Sequence, residues 1–285
     1  MRFVFTSDAQ EFADRTEPLL AARMECNVLA TVLMSVLGGA HADPAPVFAY
    51  GVAADVGVPV FAAMRTPPFP ILTSPLEDPG DAETLIEHWL EADPELPSVT
   101  GVPATARAIA EAWARRTGGT TRRTLSEAMH VLTEVVDPRR PARGALRIAT
   151  REDRDLLVGW MEHFVVEAGL VGAAQAAGMV DARLRAQGLF LWDDVRPVSM
   201  IGVAPEVSGT VRIGPVYTPS SQRRQGYAGS AVAAASRRAL AAGAARCMLF
   251  TDLANPTSNK IYAEVGYQRT GDWEEIALDP AGGSG

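Results

Sequence analysis

The second half of the chain carries a regular alternation of apolar and polar positions. Beyond Thr150, apolar side chains recur every three or four residues, which is the period of a helix that buries one face. These residues are Leu156, Leu157, Trp160, Met161, Phe164 and Val165. Thr150 and Asp153 stand at the spacing of a capping box, and this pair predicts the start of that helix. Shorter apolar runs, bounded by glycine, proline and aspartate, predict strands.

This spacing predicts the order strand, two helices, three strands, helix, strand, helix and strand. Turn signals at Asp193-Asp194 and at 207–209 separate the three consecutive strands, and Gly243 is a typical residue just past a helix end. The predicted helices cover 153–168, 173–187, 229–242 and 256–264, and the predicted strands cover 146–148, 189–192, 197–203, 211–217, 247–251 and 273–278. Mixed strands with helices on both faces indicate an α+β fold, an α/β three-layer sandwich.

The first half of the chain repeats this organisation. Each half opens with a short strand and a Thr/Ser helix start, and each later reaches a short apolar strand that ends in proline, at Pro75 and at Pro219. Matching landmarks lie 138 and 144 residues apart, which predicts an internal duplication, with two unrelated α+β domains as the alternative. Prolines, arginines and a glycine in 137–144 predict an exposed linker, and hence domains at 1–140 and 145–285.

Composition limits the class of protein. The 285 residues are 47% hydrophobic and carry a formal net charge of −8, which fits two globular domains and lacks the basic footprint of a nucleic-acid binder. Cys26 and Cys247 show neither disulfide nor zinc spacing. The longest apolar run, 28–37, is shorter than the roughly 20 residues that span a bilayer, and the N-terminus has no signal-peptide pattern. We therefore expect a cytoplasmic protein with no nucleic-acid partner, membrane partner or metal.

The most informative stretch joins a strand to a helix between Gly214 and Gly229. Within it, Arg223, Gly226 and Ala228 stand at an R-x-x-G-x-A spacing. A glycine permits close approach of a ligand, and the helix that follows directs its free N–H groups and positive dipole end into the loop. The stretch therefore predicts a phosphate or pyrophosphate cradle, with an ordinary strand-to-helix turn bearing surface arginines as the alternative. Neither a Walker lysine nor a G-x-G-x-x-G pattern is present.

A second cluster follows the next predicted strand. Asn255 before Pro256 predicts a helix N-cap with proline at the first helical position. Asn259 and Tyr262 are three residues apart and so share one face of that helix. The alternatives are a surface asparagine and a core tyrosine.

Taken together, the two clusters resemble the GNAT N-acetyltransferase superfamily. The resemblance rests on the pattern V-Y-T-P…R-R-Q-G-Y-A, followed about 25 residues later by N-P-x-x-N-x-x-Y-x-x-x-G-Y, and it covers roughly 146–278. It implies GNAT-like domains with mixed, centrally splayed sheets, and acetyl-CoA as the acyl donor bound in the gap of the second domain.

The resemblance also assigns roles to individual residues. The pantetheine arm and the acetyl carbonyl would contact the backbone of Val216, Tyr217 and Thr218. The pyrophosphate would contact Arg223, Arg224, Gln225, Gly226, Tyr227 and Ala228. Asn255 and Asn259 would hydrogen-bond to the cofactor, and Tyr262 would protonate the departing thiolate. Direct attack of an amine in a ternary complex needs this positioning, an oxyanion donor and an acid for sulfur.

The group that takes the proton from the amine is left open by the sequence. The candidates are Asp252, at a strand end facing the cleft, and Glu206, on the hairpin beside the active strand. The alternative is that these are solvated loop carboxylates and that a water chain takes the proton instead. His163 is expected to be a surface or core residue. No constellation is visible for the other histidines, His41, His88 and His130.

The first half lacks this chemistry. After Pro75 the chain runs Leu-Glu-Asp-Pro-Gly-Asp-Ala-Glu, which is acidic and contains no R-x-x-G-x-A. Negative side chains at a helix start repel a pyrophosphate, so the first half resembles a degenerate repeat that packs against the second and shapes the acceptor pocket. We expect an acetyl-CoA-dependent N-acetyltransferase acting on a primary amine of a small molecule or peptide, as a monomer or homodimer. The alternatives are another acyl donor or acceptor, or a non-catalytic CoA-binding or interaction module.

Overall fold

The protein is described by a computed structural model that covers residues 1–40, 43–53, 57–170 and 172–282. His41 lies outside the described residues. By compactness the chain divides into two units: the first contains Met1–Glu127 together with the residues from Gly271 onward, and the second contains Ala128–Thr270. The domain boundaries predicted at 140 and 145 are those of the sequence repeat, and they remain a prediction.

The described residues of the first half form six strands and four α-helices. They are β1 (Arg2–Thr6), α1 (Ala9–Ala22), α2 (Asn27–Leu37), β2 (Val47–Val52), β3 (Pro59–Arg65), β4 (Ile71–Thr73), α3 (Asp81–Ala92), β5 (Ser98–Gly101), α4 (Pro103–Thr117) and β6 (Thr120–Leu132). A short 3-10 helix, Met24–Cys26, precedes α2.

The second half forms its elements in the same order. They are β7 (Ala145–Ile148), α5 (Arg154–Glu167), α6 (Ala176–Arg185), β8 (Leu189–Asp194), β9 (Arg196–Val203), β10 (Thr210–Tyr217), α7 (Tyr227–Ala241), β11 (Arg246–Asp252), α8 (Pro256–Val265) and β12 (Gln268–Asp279). The 3-10 helices are Arg151–Asp153, Ala173–Gln175 and Ser220–Gln222. The order predicted from the spacing is confirmed, and so is the α+β class.

Two local predictions were wrong. Asp193 and Asp194 belong to β8, and the turn lies at Val195, which is fully exposed with a φ of +67°. Leu156 is also half-exposed, because the face of α5 that is buried runs through Leu157, Met161 and Val165 instead.

The predicted capping box forms at the 3-10 helix Arg151–Asp153, directly before α5. The Asp153 carboxylate accepts hydrogen bonds from the Thr150 N–H at 2.7 Å and from the Arg147 guanidinium at 2.7 and 2.8 Å. The Arg147 hydrogen bond is the largest cause that lowers the pKa of Asp153 to about 2. Strand β7 is thereby tied to the 3-10 helix that precedes α5.

The strands of both units pair in the same sense. In the first unit β1, β2, β3 and β4 are antiparallel neighbours and β4 pairs with β5 in parallel; β7, β8, β9, β10 and β11 repeat this arrangement in the second. Strand β12 pairs antiparallel with β5, whereas β6 lies next to β11. Most of β12 therefore belongs to the first unit, while only the end of β6, from Ala128 onward, belongs to the second unit.

Strands β10 and β11 separate along their length. Their parallel pairing covers only Thr210–Arg212 with Arg246–Met248, although β10 continues to Tyr217 and β11 to Asp252. On its other side, β10 stays paired with β9 as far as Tyr217, after a register shift between Ile213 and Val216. A shift of this kind bends a strand away from one neighbour. The sheet of the second unit is therefore splayed at its centre, as expected.

Candidate functional site

Ser199 fixes the backbone at the end of β10. Its buried hydroxyl donates a hydrogen bond to the Tyr217 carbonyl at 3.1 Å and lies 2.9 Å from the Thr218 hydroxyl. The Tyr217 carbonyl and the Thr218 N–H belong to one planar trans peptide, so they point in opposite directions. Because Ser199 is on β9, the Thr218 N–H points away from β9, to the side on which β11 has separated.

Arg223 is held in the loop that follows β10. Its Nε donates to the Thr218 carbonyl at 2.8 Å, its terminal nitrogen pairs with the Glu167 carboxylate, and its guanidinium lies over the Tyr217 ring at 5.9 Å. The Tyr217 hydroxyl also reaches Glu167, at 3.4 Å. These contacts order the strand end against α5, while Arg223 keeps 44% of its side chain exposed.

The start of α7 is open to an anion. Gly226 is its N-cap residue, with a φ of +83°, so the helix begins without a side-chain cap. The N–H groups of Tyr227, Ala228 and Gly229 have no acceptor within a helix that starts there. Arg224 precedes them in an exposed, left-handed conformation with a φ of +66°. Free donors, the positive helix end and a cationic side chain are groups that can hold a phosphate.

The other side chains of the loop support its shape. The Tyr227 hydroxyl donates to Asp194 at 2.7 Å and lies 3.3 Å from the Gln225 side-chain oxygen. The hydrogen bond to Asp194 is the main cause that raises the pKa of Tyr227. In the same region the Ala142 N–H donates to the Ser230 hydroxyl at 2.9 Å, which seats the 137–144 segment beside the first turn of α7.

The polar residues at the junction of β11 and α8 form hydrogen bonds that hold the loop between them. Asn255 caps α8 by accepting from the Ser258 N–H at 3.0 Å. The Asn259 amide donates to the carbonyls of Asp252 and Asn255 at 3.1 and 2.9 Å. The Asp252 carboxylate is exposed and accepts from the Ala254 N–H at 2.8 Å. All three side chains therefore lie at the end of the splayed strand, with contacts that hold the loop.

Tyr262 lies on α8 with only 9% of its surface exposed. Its ring meets the ring of Tyr267 edge to face at 6.2 Å, and the Tyr267 hydroxyl is 2.7 Å from that of Ser236 on α7. Burial is the main cause that raises the pKa of Tyr267. Tyr262 is thus held in a packed aromatic pair in the second half of α8.

Three features of this region were not predicted from the sequence. Ser199 is the first. The second is the Thr251 hydroxyl, which is buried on the splayed part of β11 and has no hydrogen-bond partner among the described residues. The third is a cavity of about 440 Å³ along α5, whose walls are Glu162, His163, Val166, Glu167, Ala173 and Ala174. Neither Ser199 nor Thr251 belongs to a motif, so no sequence signal could have found them.

Glu206 lies in the turn between β9 and β10, where its carboxylate accepts a hydrogen bond from the Gly209 N–H. His88 is an exposed residue of α3 whose Nδ1 lies 2.8 Å from the Thr84 carbonyl. His130 is buried in β6, and burial is the main cause that lowers its pKa.

In the first unit, α3 follows β4 as α7 follows β10, and carboxylates lie at its N-terminal end. Asp78 accepts from the Gly80 N–H at 2.8 Å, directly before α3. Asp81, in the first turn, pairs with the ammonium group of Met1 at 2.7 Å. These carboxylates occupy the positive end of α3 and disfavour a second anion there.

No helix in the described part of the chain combines the length and apolarity that crossing a bilayer requires. The described residues also contain no cluster of three or more histidine, cysteine or acidic side chains that could hold a metal ion.

Comparison with known proteins assigns the family of this region. The model of the acetyltransferase (GNAT) family matches residues 147–267. The second half of the chain carries a GNAT acetyltransferase domain. Acetyl transfer from acetyl-CoA is the general activity of GNAT acetyltransferases. A search of curated proteins found no match.

Solved GNAT structures share the fold of the whole chain. An acetyltransferase of the GNAT family from Colwellia psychrerythraea is 11% identical, with a TM-score of 0.61 over 98% of this chain and 100% of its own. A GCN5-related N-acetyltransferase from Sphaerobacter thermophilus is 15% identical, with a TM-score of 0.60 over 97% and 95%. A tandem GNAT protein from the clavulanic acid biosynthesis pathway is 14% identical, with a TM-score of 0.61 over 100% of both chains. The fold is therefore that of a tandem GNAT protein.

Proposed function

We propose that the second unit transfers the acetyl group of acetyl-CoA to a primary amine of a small molecule or peptide. The observation that carries the proposal is the separation of β10 from β11 beyond Arg212 and Met248. This gap lies between a strand end with an inward N–H, at Thr218, and the strand that leads into Tyr262.

The residues around the gap fit acetyl-CoA. The pyrophosphate fits the open N–H groups at the start of α7 and the exposed guanidinium of Arg224. The backbone of 216–218 and the unpartnered hydroxyl of Thr251 offer polar groups along the gap for the amides of the pantetheine arm. Arg223 holds the loop through Thr218 and leaves part of its charge exposed to the phosphates.

The proposed roles follow from this placement. The thioester supplies an acetyl group that an amine can attack directly. The Thr218 N–H donates a hydrogen bond to the acetyl oxygen, where negative charge develops during the attack. Tyr262 donates a proton to the sulfur as the thiolate leaves. Asn255 and Asn259 contribute by holding the loop between β11 and α8.

A thiol-release assay tests the proposal. Acetyl-CoA is incubated with the protein and panels of amines, amino acids, aminoglycosides and peptides, and free CoA is measured. We expect release that depends on the amine. Tyr262→Phe should lower kcat by roughly 100-fold or more while CoA affinity stays unchanged, since an acid contributes about 10² to 10⁴ in rate. Tyr50→Phe, at a buried tyrosine of β2 in the first unit, is the matched control.

One outcome would contradict the proposed acetyl transfer, and another would contradict only the role of Tyr262. CoA binding without release to any amine would favour the non-catalytic CoA-binding module. Unchanged turnover of Tyr262→Phe at every pH would remove the assigned acid while leaving the acetyl-transfer activity itself in place.

A further inference from the structure

His163 lies beside the end of β10, where the proposed reaction takes place. Its ring is 6.2 Å from the ring of Tyr217, and Trp160 contacts the same ring at 6.2 Å from the preceding turn of α5. Tyr217 immediately precedes Thr218, whose N–H faces the gap. The imidazole is exposed, so it is accessible to a small molecule that approaches this strand end.

The cavity along α5 gives such a molecule a place to bind. Its volume is about 440 Å³, and it is largely open to solvent. Val166 and the two alanines of the 3-10 helix Ala173–Gln175 form the apolar part of the wall. His163 and two carboxylates, those of Glu162 and Glu167, supply the polar part.

The charged neighbours of His163 leave it as the available base. Glu167 is engaged by Arg223 and by the Tyr217 hydroxyl. Burial and the nearby Glu167 raise the pKa of Tyr217, so this hydroxyl keeps its proton at neutral pH. A guanidinium cannot accept a proton, and carboxylates as a class are weak bases near pH 7, whereas imidazole is the side chain that exchanges protons there. The 3-10 helix adds no titratable group to the wall.

We propose that His163 is the general base that removes a proton from a cationic primary amine bound in this cavity. This inference rests on the proposed acetyl transfer. Glu162 at the cavity wall attracts the ammonium form of the amine, and the imidazole takes one proton from it. The nitrogen then forms a bond to the acetyl carbon and the carbon–sulfur bond breaks. Tyr262 protonates the sulfur, the second amine proton leaves to solvent, and the products are the N-acetyl amine and CoA.

The test compares His163→Gln with the wild-type protein, using butylamine and 1,4-diaminobutane as probe amines. We expect kcat/KM to fall roughly 10² to 10⁴-fold, which is the usual contribution of a general base. The kcat/KM of the variant should also depend less steeply on pH than that of the wild-type protein. Acetyl-CoA affinity, measured by calorimetry, should stay the same. His88→Gln is the matched control, because His88 is also exposed on a helix and contacts an aromatic ring at 6.3 Å.

Methoxyamine separates a base from a merely structural residue. It is a weakly basic amine that is unprotonated at neutral pH and needs no base to become nucleophilic, so the His163→Gln variant should acetylate methoxyamine at nearly the wild-type rate. An equal loss with methoxyamine and butylamine would overturn the proposal, as would an unchanged kcat/KM for the alkylamines. A wild-type protein that acetylates no amine would contradict the proposed function itself, which is a different result.

Discussion

Gly226→Asp offers the most direct test of the proposed phosphate site, because it should have a small effect on the free energy of unfolding and a large effect on CoA affinity. With a φ of +83° Gly226 is left-handed, a conformation that costs other L-residues about 1–2 kcal/mol. An added Cβ would meet only ordinary contacts, at 3.6 Å from the Arg140 carbonyl and 3.7 Å from Ala142. Gly226→Asp should therefore lower the free energy of unfolding by about 1 kcal/mol and leave the fold intact.

The effect of Gly226→Asp on CoA binding should be far larger. Two unit charges about 4 Å apart interact with about 4 kcal/mol at the effective dielectric of a protein surface. A carboxylate at the start of α7 would repel the pyrophosphate by this amount, which corresponds to a roughly 1,000-fold weaker affinity. Calorimetric titration with CoA measures the affinity, and urea denaturation measures the stability.

Gly243→Asp is the matched control for this change. Gly243 lies just past the other end of α7, with a φ of +108° and open space around an added Cβ, so the backbone cost is similar while the phosphate site is untouched. CoA affinity should not change. An affinity of Gly226→Asp within about threefold of wild type, which is under 1 kcal/mol, would refute the phosphate assignment. Equal weakening in both variants would refute it as well.

Two further predictions concern the strand end and the helix start of the second unit. Ser199→Ala removes the donor to the Tyr217 carbonyl, and at about 1 kcal/mol for a neutral hydrogen bond kcat should fall roughly fivefold. Steady-state kinetics check this, and a loss confined to KM would contradict it. Asp153 has a pKa lowered from 3.8 to about 2, so its contribution of about 2 kcal/mol is present above pH 4 and lost as the pH falls towards 2. Acid unfolding followed by circular dichroism should lack this step in Asp153→Asn, and an identical acid transition would contradict it.

The loop and helix start around Gly226 could be predicted because they are specified by neighbouring residues. Arg223, Gly226 and the start of α7 are within a few residues of one another, so a short pattern describes them. The same holds for the N-cap at Asn255 and the buried tyrosine two turns later. Local propensity and spacing also predicted the order of the elements, since each helix and strand buries a periodic face.

The rest of the site depends on contacts between distant residues. Ser199 reaches Tyr217 across 18 positions, and Glu167 reaches Arg223 across 56. Which side chain meets which is set by the register shift in β10, and no sequence pattern specifies that shift. The sequence likewise does not predict that β12 pairs in the first unit, because that pairing rests on contacts such as Ser98 with Glu275, 177 positions apart.

The two helix starts that follow β4 and β10 differ in charge although the strands before them pair alike. The strand pairing is the same in both units, and it depends on backbone and core rather than on the loop. At α3, the carboxylates of Asp78 and Asp81 satisfy the positive helix end from within the unit. At α7, a glycine cap and two arginines leave that end without a negative side chain of its own. Because the dipole is the same in both helices, a handful of loop residues decides whether a phosphate is repelled or attracted.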